Sequence, residues 1–119
     1  MPWQVDFYED QDGSCPVEEF LDSLPDKHLG KVLQAIQMLE ERGPNLPFPY
    51  SSQIEGKLRE LRAHYGKVPY RILYYGDIRG VFILLHAFRK QTPQIPEREK
   101  RLAWHRLRDD EQRKKGGTS

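Results

Sequence analysis

Apolar residues along this chain follow two rhythms. Between residues 26 and 42, Leu29, Val32, Leu33, Ile36 and Leu39 sit at three- and four-residue spacings and make one apolar stripe of a helix. Gly43-Pro44 closes that helix, because proline cannot continue it. A shorter helix is expected ahead of it from Ser14 or Cys15, with Pro16 in its first turn and Phe20, Leu21 and Leu24 as its buried side. Elsewhere the period is two. Trp3 to Tyr8 alternates and predicts a first strand; Lys57 to His64, Val68 to Tyr75 and Val81 to Phe88 predict three more. Gly76 to Gly80 is a hairpin-length loop, so the last two strands should be antiparallel neighbours. Val81 to Leu85 is apolar on both faces, as a central strand requires. Residues 44–53, with Pro44, Pro47 and Pro49, read as an irregular connection. A terminal helix begins near Pro96 and runs past Leu107.

This order predicts an α+β domain. An N-terminal strand and a helical hairpin pack on one face of a small, mainly antiparallel sheet, with a C-terminal helix to follow. The other face of the sheet is left open. Residues 1–110 form a single domain, and 111–119 are expected to be a disordered basic tail.

Composition narrows the class. At 119 residues, with 31% charged and 37% hydrophobic positions, the chain suits one soluble domain. No apolar run approaches the ~20 residues of a membrane span, and the first residues lack the pattern of a secretion signal. The single Cys15 has no internal partner and no nearby base. The expectation is a cytoplasmic protein with no membrane partner. The net charge of +1 conceals segregation: residues 1–26 carry eight acids and no Lys or Arg, whereas residues 57–108 carry thirteen bases against four acids. That asymmetry points to a polyanionic partner for the second half, or to mutual neutralisation of the two halves in the fold.

No motif suggests a metal or cofactor, since His28, His64, His86 and His105 lie in different elements. The remaining candidates are polar residues of the three strands. Alternation puts Leu58, Glu60 and Arg62 on one side and Arg59 and Leu61 on the other. Arg71 interrupts an apolar-aromatic strand; His86 and Phe88 share a face, with Arg89 and Lys90 just beyond. Such a set fits RNA cleavage through the 2′-hydroxyl, which needs a base, an acid and fixed cations around the phosphate. Lys57, Arg59, His64, Tyr65, Lys67 and Tyr70 are candidate RNA-binding residues, the rings by stacking on unpaired bases. Each has a structural alternative. Arg71 and Glu60 can pair across the sheet, His86 can be a satisfied core histidine, and the tyrosines are good strand formers.

The strand segments Leu58-Arg59-Glu60-Leu61-Arg62, Tyr70-Arg71-Ile72-Leu73-Tyr74 and Leu84-Leu85-His86-Ala87-Phe88-Arg89-Lys90 resemble successive strands of RelE/ParE-superfamily toxins. Phe88, Lys90, Thr92 and Pro96, then Glu99, Ala103 and Arg106, are similar to the phage-derived HigB-like branch, as is Phe20-Leu21-Asp22-Ser23-Leu24. The resemblance implies a RelE-like fold over residues 3–108. It implies the toxin of a type II toxin–antitoxin pair, partnered by a HigA-like helix-turn-helix antitoxin and reaching operator DNA only through that complex. The activity implied is ribosome-dependent, metal-free cleavage of mRNA. Arg62, Arg71 and Lys90 match the family's basic motif positions, with Arg89, Glu60 and His86 as further catalytic candidates. Gln91 stands where the usual second lysine would be. The alternative is a non-catalytic or ParE-like toxin acting on DNA gyrase, or an antitoxin-bound regulatory partner.

Overall fold

The computed structural model describes residues 2–116. Its elements are β1 (Val5–Phe7), α1 (Pro16–Asp22), α2 (Asp26–Arg42), β2 (Ser51–Glu55), β3 (Leu58–Tyr65), β4 (Val68–Gly76), β5 (Phe82–Arg89) and α3 (Glu97–Gly116). The five strands form one sheet in the order β1-β5-β4-β3-β2. Only β1, which lies parallel to β5, departs from antiparallel pairing. The expected α+β arrangement, helical hairpin on a mainly antiparallel sheet with a C-terminal helix, is what the chain adopts.

The two faces of the sheet carry two cores. On one, Leu61, Tyr70, Ile72, Tyr74 and Leu84 meet Val17 and Leu21 of α1 and Val32, Ala35, Ile36 and Leu39 of α2. The α2 stripe is therefore as read, except that Leu33 is 46% exposed and Ala35 takes its place. Gly43 ends α2 at φ +54°, and a Cβ there would lie 2.3 Å from the Trp3 ring, so only glycine fits.

On the other face, Leu58, Leu73, Tyr75, Ile83, Leu85 and Phe88 are covered by Ala103 and Leu107 of α3. This corrects the expectation of an open second face: α3 lies across much of it. Two further expectations change. The connection 44–53 contains an edge strand, since β2 pairs with β3 through Ser51–Leu61 and Ser52–Glu60. The expected basic tail begins inside α3, which runs on to Gly116; residues 117–119 of that tail lie outside the described residues. Ion pairs hold the extra turns down: Glu111 meets Lys57, and Lys114 lies 2.8 Å from Asp77 of the β4–β5 turn.

Candidate functional site

Strand alternation sends Glu60 and Arg62 of β3 and Arg71 of β4 to the α3 side of the sheet, beyond the N-terminal end of the helix. The register sets Arg62 directly opposite Arg71. Two like charges facing one another across a ladder are unfavourable. Glu60 offsets part of that repulsion: its Oε1 is 3.1 Å from Arg71 Nε and its Oε2 is 3.7 Å from Arg62 Nε. Ser52 on β2 donates to Glu60 Oε2 at 2.6 Å and fixes the carboxylate. Arg71 also donates through Nη1 to its neighbour's carbonyl, Tyr70 O, at 2.9 Å. Glu60 and Arg71 are both buried. Even so, Glu60 Oε1, Arg62 Nε and Arg71 Nε have no aligned hydrogen-bond partner among the described residues, so the contacts are ionic rather than directed.

Lys90 completes the group. It follows β5, where its N–H donates to Pro69 O at 3.0 Å. Burial, the Arg71 charge and the Arg62 charge hold its ammonium below the usual lysine pKa, with Glu60 pulling the other way. Burial likewise lowers Arg71 against the pull of Glu60, though a guanidinium stays charged at neutral pH. Two arginines thus meet a single carboxylate, and Lys90 lies within the field of all three.

His86 belongs to a neighbouring group. An irregularity in the β4–β5 pairing between Leu73 and Tyr74 shifts the strand phase, so that His86 and Phe88 share the α3 face. Their rings stack with centroids 5.3 Å apart. Arg106 of α3 donates to Leu85 O at 2.9 Å and approaches His86 Nδ1 at 3.1 Å, while Glu99 Oε1 is 3.3 Å from Nε2. Burial lowers the His86 pKa despite Glu99. Arg106 can only donate, so the neutral ring accepts at Nδ1 and carries its proton on Nε2, toward Glu99. Glu99, Ala103 and Arg106 are one face of α3, and they clamp the irregular stretch of β5.

The other candidates disperse. Arg89 pairs with Tyr70 in register, is exposed, and emerges on the α1/α2 side, away from Arg71. Arg59 also turns to that side and donates to Ser51 Oγ at 3.0 Å. Tyr70 corrects the stacking expectation: it is only 4% exposed, within the helix-side core, and its hydroxyl meets His28 Nδ1 at 2.8 Å. Tyr65 is half-buried with its ring 4.4 Å from that of His28, which makes His28 more than a surface residue. Lys57 lies at the far end of β3, paired with Glu111. His64 and Lys67 are exposed at the β3–β4 turn, beyond Arg62. Hollows in the surface occur near the β4–β5 turn and around Thr92 to Lys100, and Arg62, Arg71 and Lys90 line none of them. The cation group is a shallow patch in which Arg62 and Lys90 are part-exposed over the buried Glu60 and Arg71.

In the sequence Glu99 and Arg106 stand out only as parts of a motif. Their seven-residue spacing on a helix beside Ala103 was the available signal, but their partner is 20 residues away from Arg106 in sequence.

No curated protein matches the chain significantly. Among solved structures, the chain is similar to one chain of the archaeal RelE–RelB complex from Pyrococcus horikoshii, with 24% identity, a TM-score of 0.48, and coverage of 75% of this chain and 96% of that one. Residues 19–108 match the family described as Phage derived protein Gp49-like (DUF891). The protein therefore belongs to the Gp49-like family, which bears out the phage-derived RelE/ParE kinship read from its strand motifs.

Proposed function

We propose that this protein is the toxin of a type II toxin–antitoxin pair and cleaves mRNA on the ribosome. The observation that carries the reading is the meeting of Arg62 and Arg71 at one buried carboxylate, with Lys90 in the field of all three. Two arginines held opposite one another against their repulsion leave an uncompensated positive field, which a phosphodiester would neutralise. The part-exposed Arg62 and Lys90 are the groups a polymer would meet first, with Arg71 and Glu60 beneath them.

In this scheme Arg62 and Arg71 hold the non-bridging phosphate oxygens, to which a planar guanidinium offers paired N–H donors. The 2′-oxygen attacks the adjacent phosphorus and the P–O5′ bond breaks, leaving a 2′,3′-cyclic phosphate and a 5′-hydroxyl. Lys90 gives its proton to the departing O5′, a role that a depressed ammonium pKa favours. Glu60 Oε1 is buried against Arg71 in the free protein; once the phosphate draws the two guanidinium groups toward itself, Oε1 is uncovered and takes the 2′-OH proton. His86 holds β5 to α3 and stays outside the proton path. His64 and Lys67 extend the cationic surface at the β3–β4 turn. The partner is a HigA-like helix-turn-helix antitoxin, and the site of action is cytoplasmic.

A second reading draws on two observations. Gln91 is uncharged and exposed at the edge of the site, and Arg71 is already ion-paired with Glu60. Both suit a non-catalytic toxin of the gyrase-binding type. Brief induction in growing cells separates the two. Cleaved mRNA carrying 2′,3′-cyclic phosphate ends is expected; intact mRNA with arrested, broken DNA would replace the first reading with the second.

A further inference from the structure

Beside the cation group stands a ring with nothing packed over most of it. Phe48 is 70% exposed, an unusual situation for a phenylalanine in a domain this size. A lone exposed apolar residue needs no explanation; its position does. The Arg62 guanidinium carbon lies 5.2 Å from the centroid of the Phe48 ring. A guanidinium lying over a ring keeps its N–H edge free for phosphate, and Arg62 turns its buried Nε toward Glu60, which leaves the outer Nη groups to meet a ligand.

The segment carrying Phe48 is fixed in place. Tyr50 N–H and Ser51 N–H both donate to Pro47 O, at 2.9 and 3.1 Å, closing a turn around Phe48, and Arg62 N–H donates to Tyr50 O at 2.9 Å. Pro47 and Pro49 flank the ring and restrict the backbone on either side. The backbone that carries the ring is thus fixed beside β3 before any ligand arrives, which lowers the entropy lost on binding.

We propose that Phe48 is the base-stacking residue of the site: the nucleobase next to the phosphate held by Arg62 stacks on the open part of its ring. The ligand is unpaired RNA, because a base inside a duplex has no free face to offer. The inference rests on the reading of Arg62 as a phosphate ligand, and it names what holds the adjoining nucleotide.

The test uses the full-length protein and a short single-stranded RNA carrying one 2-aminopurine, whose fluorescence is quenched by stacking. Wild type is expected to quench on binding, and Phe48→Trp to do the same. Phe48→Ala and Phe48→Leu are expected to abolish the quench and to weaken binding by about 10-fold or more. All three variants should melt near the wild-type temperature, because the ring contributes little to the core. Absence of quenching by wild type, or quenching and affinity retained in the Ala or Leu variant, would overturn the inference. Cleavage on ribosomes is read separately with wild type, so a protein that stacks RNA without cutting it loses the proposed reaction and keeps the stacking site.

Discussion

The two ends of the α3 face handle charge differently. Near the β4–β5 turn, α3 and the strands meet in closed pairs. Lys57 faces Glu111, Lys114 bridges Asp77 and Asp110, Tyr75 donates to Asp110, and Tyr8 donates to Asp109 at 2.6 Å. Asp77 is buried, which alone would raise its pKa; bonds from Arg79, Lys114 and backbone N–H groups instead hold it well below the usual range. Tyr8 is pushed up to about 12 by burial and by its bond to Asp109. At the other end two arginines share one carboxylate, with Lys90 near enough to feel all three charges, and the guanidinium nitrogens nearest the carboxylate lack aligned partners among the described residues. One sheet surface thus holds a neutralised half, which seats a helix, and a half with excess positive charge, over which no helix of the described residues lies. Unsatisfied charge of this kind lowers stability unless a ligand completes it.

That contrast can be broken most sharply at Arg71. Replacing it with alanine should lower the cleavage rate on ribosomes by about 10²–10³-fold. It should also destabilise the fold by about 1–3 kcal/mol, because Glu60 is left buried beside a more distant Arg62. Denaturant titration reads the second effect. Glu60→Gln should come next, with a rate loss of about 10²-fold and a stability loss of the same kind, now from an unpaired Arg71. Full activity in Glu60→Gln would confine Glu60 to holding the arginines.

Lys90 offers the test in which rate and stability part. Its folded pKa lies below the ordinary 10.5, so between those two values the unfolded chain binds more protons and stability rises with pH. Lys90→Met removes that cost: the melting temperature at neutral pH should hold or rise while cleavage falls by at least about 10-fold. In wild type the rate should decline with rising pH below the range of a free lysine, and Lys90→Arg, which keeps the charge but cannot give up its proton, should lose rate as Lys90→Met does and show no such decline in the rate that remains.

His86 is a smaller effect and a different one. Its folded pKa is below the ordinary 6.5, so stability is expected to fall as pH drops from 6.5 through the folded value. His86→Gln should flatten that part of a pH–melting curve and change the neutral cleavage rate little. A rate loss as large as that of Arg71→Ala would move His86 into the reaction. Smallest of all is Lys57→Ala, at the closed end. Its pair with Glu111 is well exposed, and the loss should stay within about 0.5 kcal/mol with cleavage unchanged.

Much of this was legible in the sequence, and the limits have physical causes. The α2 stripe and the alternation in β3 and β4 are local periodicities, so the helix, the strands, and the separation of Glu60 and Arg62 from Arg59 could be read directly. The β2 strand could not: Ser51-Ser52-Gln53 is polar, follows three prolines, and is a strand only because β3 lends it a partner. The end of α3 was hidden for a similar reason, since Lys114 finds Asp77 across 37 residues. Tyr70 has the residue type of a base-stacking group and the position of a core residue, and only the packing of α2 distinguishes the two. Phe48 shows the reverse case, a residue whose site role depends on a turn that brings it to Arg62.

The central claim is that the unneutralised end of the sheet binds the scissile phosphate. Primer extension on a defined mRNA, with purified translating ribosomes and equal amounts of wild type and Arg71→Ala, tests it most directly. Discrete cleavage by wild type, slowed by about 10²-fold or more in the variant at equal ribosome binding, is the predicted result. Cleavage by Arg71→Ala at the wild-type rate would contradict it.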